Sequence, residues 1–119
     1  MAQVVALIDD IFFQAKIGET AKQLGLEFRA CTTPDALESE IAKAPPRLVV
    51  IDLNSHANPI DAISRVTRNT ETTLLIGFLS HTEVDLAEKA RAAGCREVLP
   101  RSKFAQNMAT ILGCAKSDS

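Results

Sequence analysis

Chemically capable side chains follow the short aliphatic runs of this 119-residue sequence. Asp9 and Asp10 come after the run VVALI, Asp52 follows RLVVI, Ser80 lies just beyond TLLIGF, and Arg101 follows REVLP. If these runs are strands of one parallel sheet, their carboxyl ends share an edge, which is where open parallel sheets bind ligands. Three carboxylates at one edge repel one another unless a cation, an Arg or Lys, or protonation offsets their charge.

The donor types at this edge favour a hard divalent cation. Cys31, Cys95 and Cys114 form no CxxC or Cys/His cluster, and His56 and His81 lack metal-ligand spacing. Oxygen-only ligands favour Mg²⁺, which takes one or two carboxylates together with a phosphate. Phosphoryl chemistry then becomes plausible, with a carboxylate as nucleophile, a cationic side chain neutralising charge, and a hydroxyl binding a phosphoryl oxygen.

The elements that must position these residues are visible in the hydrophobic pattern. Several aliphatic runs are apolar at consecutive positions, as in strands covered on both faces, and amphipathic segments separate them. Thr33 before Pro34 predicts a helix start, and Gly94 predicts a helix end. The alternation predicts an α/β fold, a five-stranded parallel sheet in a three-layer α/β/α sandwich. The predicted strands span residues 4–8, 26–31, 47–51, 73–78 and 96–100, and the predicted helices about 11–24, 34–43, 59–68, 83–93 and 103–113.

Composition and charge limit the classes of function. The chain is 46% hydrophobic and 24% charged, which is typical of a folded soluble domain, and we expect a single domain over residues 1–119. A formal charge of −2 lacks the basic excess that nucleic-acid phosphates require. No apolar run approaches the ~20 residues of a membrane span. We therefore expect a cytoplasmic protein without direct nucleic-acid or membrane contact.

Four motifs carry a family resemblance: ALIDD, LVVIDLN, GFLS and AAGCREVLPRS. In this order they resemble the receiver domains of two-component response regulators over nearly the whole chain. The resemblance implies a flavodoxin-like sheet of order 2-1-3-4-5, and a phosphoryl group that passes from a histidine kinase or phosphotransfer protein to Asp52. It further implies that Ser80 and Arg101 contact the phosphoryl oxygens. The implied Mg²⁺ ligands are Asp9, Asp10, Asp52 and the backbone carbonyl of Asn54.

The same resemblance implies how a signal leaves the domain. The output would be a partner-binding face formed by the fourth helix, the fifth strand and the fifth helix, and a homodimer is left open. Such a protein receives a phosphoryl group but is not a turnover enzyme.

Several features depart from the receiver pattern, among them the loop NSHANPID after Asp52, which lacks the usual Met-Pro and Asp-Gly residues. Receivers carry a lysine after the fifth strand, where this chain has Arg101, with Lys103 two residues further along. Val98 stands where many receivers have a switching Tyr or Phe. Phe12 and Phe13 follow the acidic pair where polar residues are common, and we expect one to face the core and the other to form a surface contact.

Alternative interpretations follow from these departures. If Arg101 pairs with Asp52 it partly replaces Mg²⁺, which favours a degenerate pseudo-receiver acting as a phosphorylation-independent interaction module. Asp10 also fits a helix N-cap, and the residues from Ser80 to Glu83 fit a capping box. A small α/β hydrolase or phosphatase ranks third, because the sequence contains no GxSxG elbow, P-loop or Cys/His pair.

Overall fold

A computed structural model describes residues 2–80 and 83–116, in which five strands alternate with helices. Among these residues no helix is both long enough and apolar enough to cross a membrane. In chain order the elements are β1 (Val4–Leu7), α1 (Ile11–Gln23), β2 (Phe28–Cys31), α2 (Pro34–Lys43), β3 (Leu48–Asp52), α3 (Pro59–Asn69), β4 (Leu74–Leu79), α4 (Val84–Ala93), β5 (Glu97–Pro100), α5 (Arg101–Gln106) and α6 (Met108–Gly113).

The strands form one parallel sheet of order β2-β1-β3-β4-β5, which confirms the expected topology. Val5 and Leu7 of β1 belong to one buried cluster, whereas Val4 and Ala6 belong to a second cluster, because successive side chains of a strand point to opposite faces. Helices α2, α3 and α4 contribute to the first cluster, and α1, α5 and α6 to the second. The result is the expected three-layer sandwich, with both faces of the central strands covered by helices.

Local capping chemistry sets several helix ends where the sequence indicates them. The Thr33 hydroxyl accepts the backbone N–H of Ala36 at 3.1 Å, and Pro34 occupies the first helical position of α2. Gly94 follows α4 with φ of +130°, a left-handed conformation that L side chains rarely adopt. These two signals therefore place the start of α2 and the end of α4 correctly.

The last predicted helix, residues 103–113, differs from the structure. Helix α5 already begins at Arg101, and Asn107 separates it from α6 with φ of −107° and ψ of 18°. The Asn107 side chain donates to the backbone carbonyl of Lys103 at 3.0 Å, a local bond that competes with regular helix geometry. The earlier start places Arg101 in the first turn of α5, directly after β5.

Candidate functional site

The reversal of strand order between β1 and β3 brings the sequence-predicted residues to one edge of the sheet. Asp9 and Asp10 follow β1, Asp52 ends β3, and Arg101 follows β5. Asp52 is buried, with 3% of its side chain exposed, whereas the side chains of Asp9 and Asp10 are about two-fifths exposed. The site is therefore a buried carboxylate with two more accessible carboxylates beside it.

The Arg101 guanidinium bridges two of the three acids. Its Nη1 donates to Asp10 Oδ2 at 3.1 Å, and its Nη2 lies 3.7 Å from Asp52 Oδ2. Its Nε is buried and has no hydrogen-bond partner in the described part of the chain. The guanidinium thus places a positive charge between the two carboxylates.

Two aromatic rings lie beside this guanidinium. Arg101 Cζ lies 4.9 Å from the ring centroid of Phe13 and 5.3 Å from that of Phe78, within the range of a cation–π contact. The two rings are 5.0 Å apart, and the ring of Phe104 stacks on Phe78 at 4.9 Å. Phe12 is 85% exposed while Phe13 packs into this cluster, as expected for adjacent residues on a helix.

Asp10 has both carboxylate oxygens engaged. Its Oδ1 accepts the backbone N–H groups of Phe12 at 3.0 Å and Phe13 at 3.1 Å, which makes it the N-cap of α1, and its Oδ2 binds Arg101. The Phe13 hydrogen bond and the Arg101 contacts lower the pKa of Asp10, against an opposing effect of burial. The N-cap interpretation is therefore correct, and the same side chain also joins the ion cluster.

Asp52 combines burial with two stabilising contacts. Burial raises the pKa of Asp52 above its usual value, although the backbone N–H of Asn54, 3.0 Å from Oδ1, and the nearby Arg101 charge act in the opposite direction. The carboxylates of Asp9 and Asp10 raise this pKa further. The effect of burial on the pKa of Asp52 thus outweighs the opposing effects of Asn54 and Arg101.

Asp9 binds the loop that follows β3, the strand next to its own. Its Oδ2 accepts the backbone N–H of His56 at 3.2 Å and lies 3.6 Å from the His56 ring nitrogen Nδ1. The His56 side chain is 98% exposed. Nothing local in the sequence signals this contact, because it joins residues of two different loops.

Asn54 connects two loops through its side chain, whereas the family resemblance implies a role only for its backbone carbonyl. Its Oδ1 accepts the Ser80 backbone N–H at 2.6 Å and the Ser80 hydroxyl at 3.0 Å, while its Nδ2 donates to Glu83 at 3.1 Å. Ser80 therefore contacts the loop after β3. The suggested capping box is not formed, because both of its end residues bind Asn54 and α4 begins only at Val84; His81 and Thr82 lie outside the described residues.

The carboxylates of this edge are oxygen donors of the type that a divalent cation prefers, but in this structure most of their oxygens contact other protein groups. Asp10 and Asp52 direct both of their oxygens at protein donors or at Arg101, and Asp9 is bound to His56. Within residues 2–80 and 83–116, no group of three or more His, Cys, Asp or Glu side chains is placed to hold a metal ion. Arg101 places one positive charge beside two of the three carboxylates.

The order of the strands and the acidic edge define the class of fold, that of response-regulator receiver domains. No protein-family model matches the chain, and no curated protein matches it. Among solved structures, it is similar to the receiver domain of NtrX from Brucella abortus, with a TM-score of 0.80 and 16% identity over 98% of this chain and 99% of that one.

Other receiver structures give similar values. The receiver domain of the putative response regulator NarL from Mycobacterium tuberculosis has a TM-score of 0.79 and 17% identity, covering 98% of this chain and 97% of that chain. The beryllofluoride-activated NtrC4 receiver domain dimer has a TM-score of 0.78 and 18% identity, covering 98% of this chain and 100% of that chain. At these identities the likeness establishes the receiver fold.

Proposed function

We propose that this protein is a two-component signalling module of receiver fold that acts through protein contacts without phosphorylation of Asp52. The observation that carries the proposal is the Arg101 guanidinium placed between Asp10 and Asp52. It offsets the mutual repulsion of these carboxylates with a charge from the chain itself. Asp10 and Asp52 therefore share a positive charge of the chain before any phosphodonor arrives.

The surroundings of Asp52 add to this argument. A phosphoacceptor carboxylate must present an oxygen to the phosphorus atom of an incoming donor. Asp52 is buried, its Oδ1 accepts the Asn54 backbone N–H, and its Oδ2 faces Arg101.

The face of α4, β5 and α5 is the output surface in this proposal. A cleft of about 190 Å³ lies between α4 and β5, and its lining is mainly apolar, with the charged Glu83 and Arg91 beside it. Apolar clefts with a few charged neighbours suit the anchoring side chains of a protein partner. The apolar lining consists of Leu79, Val84, Ala87, Val98, Leu99 and Pro100.

A second candidate is a phosphorylated receiver, in which a histidine kinase or phosphotransfer protein phosphorylates Asp52 and Ser80 contacts the phosphoryl group. The contact between Ser80 and the Asp52 loop through Asn54 favours it, as does the beryllofluoride-activated NtrC4 dimer of the same fold. It retains Mg²⁺ and a homodimer as proposals, and it requires Arg101 to release Asp10 and Asp52. In both candidates we place the protein in the cytoplasm, without direct contact to nucleic acid or membrane.

Intact-mass spectrometry after incubation with acetyl phosphate and MgCl₂ separates the two candidates. We expect wild-type protein to keep its mass, because Arg101 occupies the acidic edge. A gain of one phosphoryl group on wild type that is lost in Asp52→Asn would contradict the proposal and establish the second candidate. A receiver domain known to accept phosphate from the same donor is the positive control for the reagent.

A further inference from the structure

Two phenylalanine rings lie beside the Arg101 guanidinium. Its central carbon lies 4.9 Å from the ring centroid of Phe13 and 5.3 Å from that of Phe78. We propose that these rings form a seat that selects a guanidinium over an ammonium at position 101, and that the seated guanidinium keeps divalent cations out of the Asp10–Asp52 site. This inference rests on the proposed function and identifies what closes the site.

The seat fits the shape of arginine better than that of lysine. A guanidinium is planar, stacks on aromatic faces, and presents several N–H donors in a fixed fork. In this structure one fork reaches Asp10 at 3.1 Å and Asp52 at 3.7 Å while its carbon lies over both rings. An ammonium is a compact, strongly hydrated charge, and it cannot bridge two carboxylates and stack on a ring with the same atoms.

Phe13 is the positioning residue of the seat, because it fixes both partners of the ion pair. Its backbone N–H binds Asp10 Oδ1 at 3.1 Å, and its ring contacts Arg101. Phe78 is less informative as a target, since it is completely buried on β4 and supports the core. Phe13 is partly buried, so its ring can be changed with less damage to the fold.

Loss of the seat is expected to uncover a latent cation site. When Arg101 no longer lies between Asp10 and Asp52, these two carboxylates and that of Asp9 remain at one edge of the sheet. Binding a divalent ion would relieve their repulsion. Whether these carboxylates bind a cation then depends on the Arg101 side chain and on the Phe13 ring beside it.

The test measures Mg²⁺ binding by calorimetry and by the melting temperature in MgCl₂, for wild type and three variants. Arg101→Lys removes the guanidinium, Phe13→Leu removes one ring and keeps the backbone N–H, and Phe28→Leu is the matched control. Like Phe13, Phe28 is partly buried and packs against the second buried cluster. It lies on β2, at the opposite edge of the sheet from β5. Circular dichroism confirms folding, and Phe13→Met and Arg101→Gln replace any variant that fails to fold.

We expect wild type and Phe28→Leu to show no Mg²⁺-dependent stabilisation. Arg101→Lys and Phe13→Leu should gain about 5 °C in melting temperature at about ten times their Kd, and adding Asp9→Ala should remove that gain. Equal Mg²⁺ affinity in wild type and Arg101→Lys would overturn the inference, as would folded variants that all ignore Mg²⁺. Mg²⁺-dependent stabilisation of Arg101→Lys but not of Phe13→Leu would refute the role of the rings while leaving that of Arg101. A phosphoryl adduct on wild type would instead refute the proposed function.

Discussion

Replacing Arg101 with methionine should destabilise the protein mainly through Asp52. The substitution keeps much of the side-chain length but removes the charge, and it leaves a buried carboxylate without its cation. Breaking a fully buried ion pair costs about 3–5 kcal/mol. Here the Nη2–Oδ2 distance is 3.7 Å and Arg101 is 29% exposed, so water screens part of the interaction. The partly exposed Asp10 pair adds little, because exposed pairs contribute at most about 1 kcal/mol.

These considerations give an expected loss of about 2 kcal/mol in the free energy of unfolding at pH 7, or a fall of about 8 °C in melting temperature. The assay is urea unfolding followed by circular dichroism, on wild type, Arg101→Met, Asp52→Asn and the double variant. In the Asp52→Asn background the buried charge is absent, so Arg101→Met should cost less than half as much. Equal losses in the two backgrounds, within about 0.5 kcal/mol, would refute the assignment of Arg101 as the counter-charge of Asp52.

Three further predictions concern the same edge and one helix end. Asp10→Ala removes the N-cap of α1 and should lower the free energy of unfolding by about 1 kcal/mol in urea titrations; an unchanged value would contradict the capping role. Gly94→Ala should cost about 1–3 kcal/mol, because a Cβ at φ of +130° would lie 2.3 Å from Thr67 Cγ2, and a melting temperature equal to wild type would speak against this conformation. Burial raises the pKa of Asp52, so the folded protein binds this proton more tightly than the unfolded chain does. Protonation of Asp52 therefore stabilises the folded state fully at pH values below the unfolded pKa near 3.8, and this stabilisation is lost as pH rises through the folded pKa. The free energy of unfolding of wild type should therefore fall relative to that of Asp52→Asn over this window, and a constant difference across the pH series would refute the raised pKa.

Local sequence signals account for most of the fold. The consecutive apolar residues of β1 and β3 identify strands covered on both faces, and Thr33, Pro34 and Gly94 mark helix ends by their own chemistry. The division of the last helix at Asn107 was not predicted, because the competing side-chain bond to Lys103 gives no periodic signal.

The site was predictable in its membership but not in its contacts. Strand ends bring Asp10, Asp52 and Arg101 to one edge, and an Arg101–Asp52 pair was one of several outcomes that the sequence allowed. The bonds of Asn54 to Ser80 and of Asp9 to His56 depend on where whole loops lie, which residue types do not reveal. The aromatic contact of Phe13 likewise appears only once α1 is packed against β4 and α5.

A crystal structure of the wild-type protein grown with excess MgCl₂ tests the central claim most directly, because it shows which cation lies between Asp10 and Asp52. We predict the Arg101 guanidinium between these carboxylates, with Cζ over the Phe13 ring and no magnesium bound at the acidic edge. A magnesium ion coordinated by Asp10 and Asp52, with Arg101 displaced into solvent, would contradict the account.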